Sequence, residues 1–121
     1  MVMDDHPLVA QGIIDVVRDI PSIAGARIGD PEAYQNPGKG YNQLWIIDLE
    51  LGKENGFDVI HRIRDINRQC RILVYTMHEE PWVAARLAAL DVDGAVSKSE
   101  PIETLRAAVA AIAGGKRYFS P

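Results

Sequence analysis

Charged and hydroxyl side chains directly follow short apolar runs at four places in this 121-residue sequence. In chain order they belong to Asp4, Asp5, Asp48, Thr76 and Lys98. A residue that directly follows a buried strand emerges at the edge of the sheet, and parallel strands bring such residues to one edge. We therefore expect three carboxylates, one hydroxyl and one ammonium to converge there. Carboxylates this close repel one another unless a cation intervenes, and oxygen-only ligands suit Mg²⁺.

The same residue types are suited to handling a phosphoryl group. Asp48 can act as a carboxylate nucleophile and form an acyl phosphate. Lys98 offers a point charge for a phosphoryl oxygen, and the Thr76 hydroxyl can donate a hydrogen bond to another. Because Mg²⁺ binds one or two carboxylates together with a phosphate, such a site depends on positioning and charge neutralisation.

The apolar pattern predicts strands that alternate with helices. Strands are predicted over residues 2–3, 26–29, 44–47, 71–76 and 95–97, and helices over 8–20, 57–67, 81–90 and 99–113, the last capped by Ser99. Residues 30–43 are predicted to be mostly loop, with at most a turn or two of helix at 31–35, and 51–55 to be loop. Five strands alternating with helices favour an α/β fold, with a parallel sheet covered by helices on both faces.

Composition limits the class of protein. Hydrophobic residues make up 47% and charged residues 25% of the chain, which are ordinary values for one globular domain. One cysteine excludes an internal disulfide, and no apolar run approaches the ~18 residues of a membrane span. A net charge of −4 makes the domain a poor nucleic-acid binder on its own. We expect a location in a reducing cytoplasm and no membrane partner.

The acidic pair, Asp48, Thr76 and Lys98, in that order on those strands, resemble the receiver domain of two-component response regulators. The resemblance covers nearly the whole chain. Residues 4–9, 73–77 and 113–118 resemble the subfamily whose receiver precedes a LuxR/NarL/FixJ-type helix-turn-helix. It implies a flavodoxin-like, CheY-like (βα)₅ three-layer sandwich with a five-stranded parallel sheet of order 2-1-3-4-5. We expect a receiver domain over 1–115, and over 116–121 the start of a linker to a C-terminal output domain absent from this chain.

The resemblance also implies a role for each site residue. Asp48 would accept a phosphoryl group from the phosphohistidine of a sensor histidine kinase or phosphotransfer protein. Mg²⁺, which Mn²⁺ can replace, would be held by Asp5, Asp48 and the backbone carbonyl of Glu50, and by Asp4 through water. Thr76 and Lys98 would hold the phosphoryl oxygens. Such a domain is not an enzyme with an external substrate; it can form homodimers, and it would reach DNA only through the absent domain.

The residues on either side of the site leave some roles open. Glu50 and His78 stand where the family tunes dephosphorylation, although His78 could equally be an exposed loop histidine. For His6, beside the acidic pair, we expect a surface position and not a metal ligand, because Mg²⁺ prefers oxygen. Cys70, which opens a buried strand, is expected to act as a small hydrophobe.

The sequence departs from the family pattern in several places, including Ser99 and Gly52, which stand where many receivers carry Pro, and three further departures bear on the fold or the output step. Only three residues precede the acidic pair, so the first strand is expected to be short. The segment before Asp48 is also short and contains Pro37 and Gly38, so the second helix is expected to be abbreviated. Many receivers carry Tyr or Phe where this chain has Ala95, and this aromatic ring turns inward on phosphorylation.

Two other functions are compatible with the same residues. The first is a pseudo-receiver, an interaction scaffold that is not phosphorylated, which Ala95 and the short first strand favour. The second is a small Mg²⁺-dependent phosphohydrolase acting through an aspartyl phosphate. Such enzymes usually carry Asp two residues after the nucleophile, where this chain has Glu50, and the chain has no cap segment to shape a substrate pocket.

Overall fold

The computed structural model describes residues 2–4, 6–21, 23, 44–51, 54–66, 68–78 and 80–119. The strands are β1 (Val2–Met3), β2 (Leu44–Ile47), β3 (Glu50–Leu51), β4 (Glu54–Asn55), β5 (Arg71–Thr76), β6 (Gly94–Ser97) and β7 (Tyr118–Phe119). The helices are α1 (Pro7–Arg18), α2 (Gly56–Ile66), α3 (Pro81–Ala89) and α4 (Ile102–Ala113). None of these helices has both the length and the apolar character needed to cross a membrane.

Five of the strands form one parallel sheet in the order β1-β2-β5-β6-β7. The first four correspond to the predicted strands 1, 3, 4 and 5, in the predicted order, so the α/β, flavodoxin-like architecture is confirmed. The first strand is two residues long, as expected. The predicted second strand at 26–29 and the abbreviated helix at 31–35 lie outside the described residues.

The core consists of two apolar layers, one on each face of the sheet. Alternate residues of β2 point to opposite faces, so Trp45 and Ile47 contribute to one layer and Ile46 to the other. The first layer packs against α2 and α3, and the second against α1 and α4. Each fully buried Leu, Ile or Val contributes roughly 1.5–3 kcal/mol through the surface it removes from water. The sheet between these layers holds the strand ends rigidly.

Three short strands were not predicted. β3 and β4 form an antiparallel pair where a loop was expected. β7 adds a fifth strand beside β6, with Phe119 opposite Ala95. Residues 118–119 lie in the segment predicted to be the start of a linker, and here they pair with β6 at the edge of the sheet. These two-residue strands are held by backbone pairing to a neighbour, and unlike Val2–Met3, which directly precedes the acidic pair, they carry no sequence signal that marks them as strands.

The start of α4 also differs from the prediction. The N-cap residue is Pro101 and not Ser99. The Ser99 hydroxyl is instead 2.7 Å from the Ser97 hydroxyl, and the Ser99 amide donates to the same Ser97 oxygen at 3.1 Å. A local side-chain hydrogen bond has therefore replaced the cap.

Candidate functional site

The carboxyl ends of the central strands bring the predicted residues to one edge of the sheet. Asp4 follows β1, Asp48 follows β2, Thr76 ends β5, and Lys98 follows β6. The Asp48 amide donates to the Met3 carbonyl at 2.9 Å, and the Lys98 amide donates to the Thr76 carbonyl at 2.9 Å. These bonds continue the backbone pairing past the assigned strands, so the functional side chains are attached to rigid backbone.

Gly56 allows the chain to return closely behind Asp48. A Cβ atom at this position would lie 2.7 Å from the Asp48 carbonyl oxygen, which is too close for any other residue. The Gly56 amide donates to the Leu49 carbonyl at 3.0 Å. The start of α2 is thereby held against the backbone that carries Asp48.

One ammonium joins the two carboxylates at the centre of the site. Lys98 Nζ donates to Asp4 Oδ2 at 2.7 Å and to Asp48 Oδ2 at 2.9 Å. The Asp4 and Asp48 side chains are only 2% and 6% exposed, and that of Lys98 is 12% exposed. Burial alone would lower the pKa of the Lys98 ammonium. The hydrogen bonds to the carboxylates outweigh burial, and the pKa is raised. Lys98 therefore stays charged.

The remaining carboxylate oxygens point toward backbone amides. Asp4 Oδ1 accepts from the His6 amide at 2.9 Å, and Asp48 Oδ1 accepts from the Glu50 amide at 3.2 Å. The site thus places two nearly buried carboxylates against one ammonium, which leaves one negative charge uncompensated. Oxygen donors with a negative excess fit a divalent cation such as Mg²⁺. Asp5, predicted to be a direct ligand, lies outside the described residues.

A second cluster borders the site beside Thr76. The Thr76 side chain is buried, and its Oγ1 accepts from the His78 amide at 3.3 Å. His78 Nε2 is 2.6 Å from Glu50 Oε1, and His78 Nδ1 is 3.4 Å from Glu80 Oε1. The hydrogen bond to Glu50, followed by that to Glu80, raises the pKa of His78. His78 is therefore a partnered residue at the rim, and Glu80 is a neighbour that the sequence analysis did not single out.

A cavity of about 580 Å³ opens next to Thr76, between α3 and β6. Ala95 and Leu87 help to line it, and Phe119 of β7 stands at its border. The small Ala95 side chain lies on the strand at the place where many family members carry an aromatic ring. The space beside Thr76 is therefore open in this chain.

His6 is a further residue that the sequence analysis did not place in the site. Its ring nitrogen Nδ1 lies 3.4 Å from Asp4 Oδ1. One potential ligand atom from each of Asp4, His6 and Asp48 lies within 4.8 Å of the others. The signal in the sequence was its position directly after the acidic pair.

Comparison with known proteins agrees with this geometry. The family model described as the response regulator receiver domain matches residues 1–110. The methanol utilization control regulatory protein MoxX of Paracoccus denitrificans is 30% identical over 122 residues, which cover 98% of this chain and 54% of that protein. The chain thus spans about half the length of this relative.

Solved structures show the same likeness. A two-component response regulator of the LuxR family from Aurantimonas sp. SI85-9A1 superimposes with a TM-score of 0.85 at 29% identity, over 100% of this chain and 88% of that one. The isolated receiver domain of RcsB from Salmonella enterica serovar Typhimurium gives a TM-score of 0.82 at 28% identity, over 98% and 90%. The chain belongs to the response regulator receiver domain family and is related to the receivers of LuxR-type transcriptional regulators.

Proposed function

We propose that this domain is a phosphoacceptor switch and that Asp48 receives the phosphoryl group. The observation that carries the proposal is the pair of contacts from Lys98 Nζ to Asp4 and Asp48, with a negative charge left over. A cleft of this kind favours a divalent cation and, with it, the oxygens of a phosphoryl group. The domain would then act as a signalling module and not as an enzyme that turns over an external substrate.

In the proposed transfer, a carboxylate oxygen of Asp48 attacks the phosphorus of a phosphohistidine. The new O–P bond forms as the N–P bond of the donor breaks, and the electron pair of that bond stays on the donor imidazole, which takes up a proton. The Lys98 ammonium shifts its contact from the Asp48 carboxylate to a phosphoryl oxygen. The Thr76 hydroxyl donates a hydrogen bond to another phosphoryl oxygen. The donor supplies the energy of the transfer.

The proposed ligands of the cation are Asp5, Asp48, the backbone carbonyl of Glu50 and, through water, Asp4. When bound, Mg²⁺ or Mn²⁺ would neutralise negative charge on the phosphoryl oxygens. The chain itself orients the Asp48 carboxylate. The Glu50 amide holds Asp48 Oδ1, and the Lys98 ammonium holds Asp48 Oδ2.

Glu50 and His78 are proposed to set the lifetime of the phosphorylated state. Glu50 lies two residues after Asp48 and His78 two residues after Thr76, and His78 Nε2 is 2.6 Å from Glu50 Oε1. We expect His78→Ala to speed hydrolysis of the aspartyl phosphate about fivefold, the rate equivalent of one hydrogen bond, because water gains access. The control is His61→Ala, an exposed histidine on α2; an unchanged lifetime in His78→Ala would contradict the role.

The proposed partners are a sensor histidine kinase or phosphotransfer protein in the cytoplasm and, through a DNA-binding domain joined by a linker that starts near 116, DNA. Support comes from relatives about twice as long as this chain, including a transcriptional regulatory protein RcsB of Escherichia coli. One solved structure contains two RcsB dimers bound to two parallel DNAs. A homodimer of this domain is proposed on the same basis.

Ala95 favours one alternative, an interaction scaffold that is never phosphorylated, because the side chain opposite Phe119 is too small to act as an aromatic switch. The two functions are separated by trapping the acyl phosphate. After incubation with acetyl phosphate and Mg²⁺, hydroxylamine should convert Asp48 into a hydroxamate that peptide mass mapping can locate. Asp65→Asn, which removes an exposed carboxylate on α2, should leave the product unchanged. Absence of the hydroxamate in folded protein would support the scaffold.

A further inference from the structure

Phe119 is an exposed aromatic residue at the border of the cavity beside Thr76. The chain has two phenylalanines, of which Phe57 is 4% exposed and Phe119 is 51% exposed. Tyr118, the residue before Phe119, packs against the apolar layer that contains α1 and α4. Because successive residues of a strand point to opposite faces, Phe119 points to the other face of the sheet, where the cavity opens.

The cavity has room for the Phe119 ring. Its volume is about 580 Å³, and an apolar cavity of about 150 Å³ already holds benzene. Val83, Ala84 and Leu87 of α3 form an aliphatic wall. On β6, the residue paired with Phe119 is Ala95, whose small side chain leaves the way into the cavity open. A ring that enters would remove its exposed apolar surface from water.

Thr76 belongs both to this cavity and to the proposed phosphoryl site. Thr76, His78 and Glu80 give the cavity a polar part, and a polar wall favours water over a phenyl ring. The buried Thr76 hydroxyl accepts a hydrogen bond from the His78 amide at 3.3 Å. To donate to a phosphoryl oxygen on Asp48, the hydroxyl has to turn toward that group, and a threonine side chain turns between discrete rotamers. The turn takes a polar group away from the cavity wall.

We propose that Phe119 moves into the cavity beside Thr76 when Asp48 is phosphorylated. The inference rests on the proposed function and adds the step by which the phosphorylated state reaches the end of the chain. The turn of the Thr76 hydroxyl makes the cavity more favourable for the ring, so phosphorylation shifts the population toward the inner position. Because Phe119 is one of the two residues of β7, its movement alters the sheet edge from which the proposed linker continues.

Fluorine nuclear magnetic resonance on protein labelled with fluorophenylalanine tests this movement, because two phenylalanines give two signals. Phe119→Leu identifies the signal of Phe119, and the buried Phe57 is an internal reference. The difference in the position of a signal between H₂O and D₂O measures its contact with water. With excess acetyl phosphate and Mg²⁺, this difference should fall for Phe119 to the value of Phe57, and it should stay the same for Phe57.

Two matched variants locate the ring. Ala95→Leu places a larger side chain beside Phe119, so the Phe119 signal should keep its contact with water even when intact mass shows the phosphoryl group. Ala88→Leu makes the same change at an exposed position of α3 outside the cavity and should behave as the wild type. An Ala95→Leu protein whose Phe119 signal still loses its contact with water would overturn the proposal.

Intact mass, measured on the same samples, separates this inference from the proposed function. Wild-type protein that gains the phosphoryl group while the Phe119 signal stays in contact with water would overturn the movement of the ring and leave the phosphoacceptor role in place. An equal change in the Phe57 signal would overturn it as well, because the whole domain would then have rearranged. Folded protein that gains no phosphoryl group would overturn both the inference and the proposed function.

Discussion

The two edges of the central sheet both bring charged groups together, but they balance them differently. At the amino end of β5, the Arg64 guanidinium donates to the Asp93 carboxylate and to the carbonyls of Arg68, Cys70 and Asp91. Asp93 Oδ2 also accepts from the Ile72 amide at 2.7 Å. One cation and one carboxylate face each other there, and their remaining bonds go to backbone. At the carboxyl end, the Lys98 ammonium contacts both the Asp4 and the Asp48 carboxylates, so one cation faces two carboxylates.

The difference separates a structural network from the network proposed to be functional. The Arg64 and Asp93 side chains are 22% and 23% exposed, and an ion pair whose other hydrogen bonds are satisfied by backbone has no need of a further ligand. Two carboxylates that share one ammonium retain a negative charge, and the fold tolerates this repulsion because the strands hold the groups in place. The comparison predicts that removing a carboxylate lowers the stability of the protein at the amino edge but raises it at the carboxyl edge. It also predicts that Mg²⁺ stabilises the protein only through the carboxyl edge.

The largest effect is expected for Lys98→Met. This variant leaves two carboxylates buried without their cation, and we expect the free energy of unfolding to fall by about 3 kcal/mol. Millimolar Mg²⁺ should restore part of the loss, because a ligand that binds only the native state stabilises it. Urea unfolding with and without Mg²⁺ measures both. The matched variant Arg64→Met should show no such recovery; equal responses would remove the distinction between the edges.

Asp93→Ala is expected to have the next largest effect. It leaves the Ile72 amide and part of the Arg64 guanidinium without their acceptor, so we expect a loss of about 2 kcal/mol. The unfolding midpoint in urea measures it, and Mg²⁺ should not change the difference from the wild type. An unchanged midpoint would mean that the network at this edge contributes little to stability.

Asp48→Asn should shift stability in the opposite direction. Removing one of the two carboxylates relieves their repulsion and leaves Lys98 paired with Asp4, so we expect a gain of about 1 kcal/mol without Mg²⁺. Thermal unfolding in the absence of Mg²⁺ is the measurement. A loss of stability would show that Asp48 is satisfied by Lys98 and the Glu50 amide and that no charge is left over.

Arg117→Ala gives the smallest expected effect. Arg117 pairs with Asp91 at the rim of the structural edge, and both side chains are largely exposed. Exposed pairs contribute little because water and salt screen them. We expect the thermal midpoint to stay within error of the wild type. A clear fall would mean that the structural network extends to β7.

The sequence predicted which residues meet at the carboxyl edge because its signals are local. Asp48 and Lys98 each follow a strand, and the rule that parallel strands share their carboxyl edge was enough to bring them together. Thr76 was placed for the same reason. The sequence did not reveal that a single Lys98 ammonium would contact both Asp4 and Asp48, because side-chain geometry depends on how the strands are registered.

The parts that were missed depend on contacts between distant segments. β7 forms because the chain after α4 returns to the sheet and pairs Tyr118 with Gly94 and Phe119 with Ala95. Two residues are too few to show an apolar periodicity in the sequence. The role of Ser99 was wrong because its amide and hydroxyl found Ser97 instead of the helix. The Arg64 network joins Arg64 to Asp93, which lie 29 positions apart, and no sequence motif predicts this contact.

The central claim is that Asp48 is a Mg²⁺-dependent phosphoacceptor. The most direct measurement is the intact mass of the protein after incubation with acetyl phosphate, with and without Mg²⁺, beside the Asp48→Asn variant. We expect one phosphoryl group to be gained only by the wild-type protein and only with Mg²⁺. Folded wild-type protein that gains none, or an equal gain in Asp48→Asn, would contradict the account.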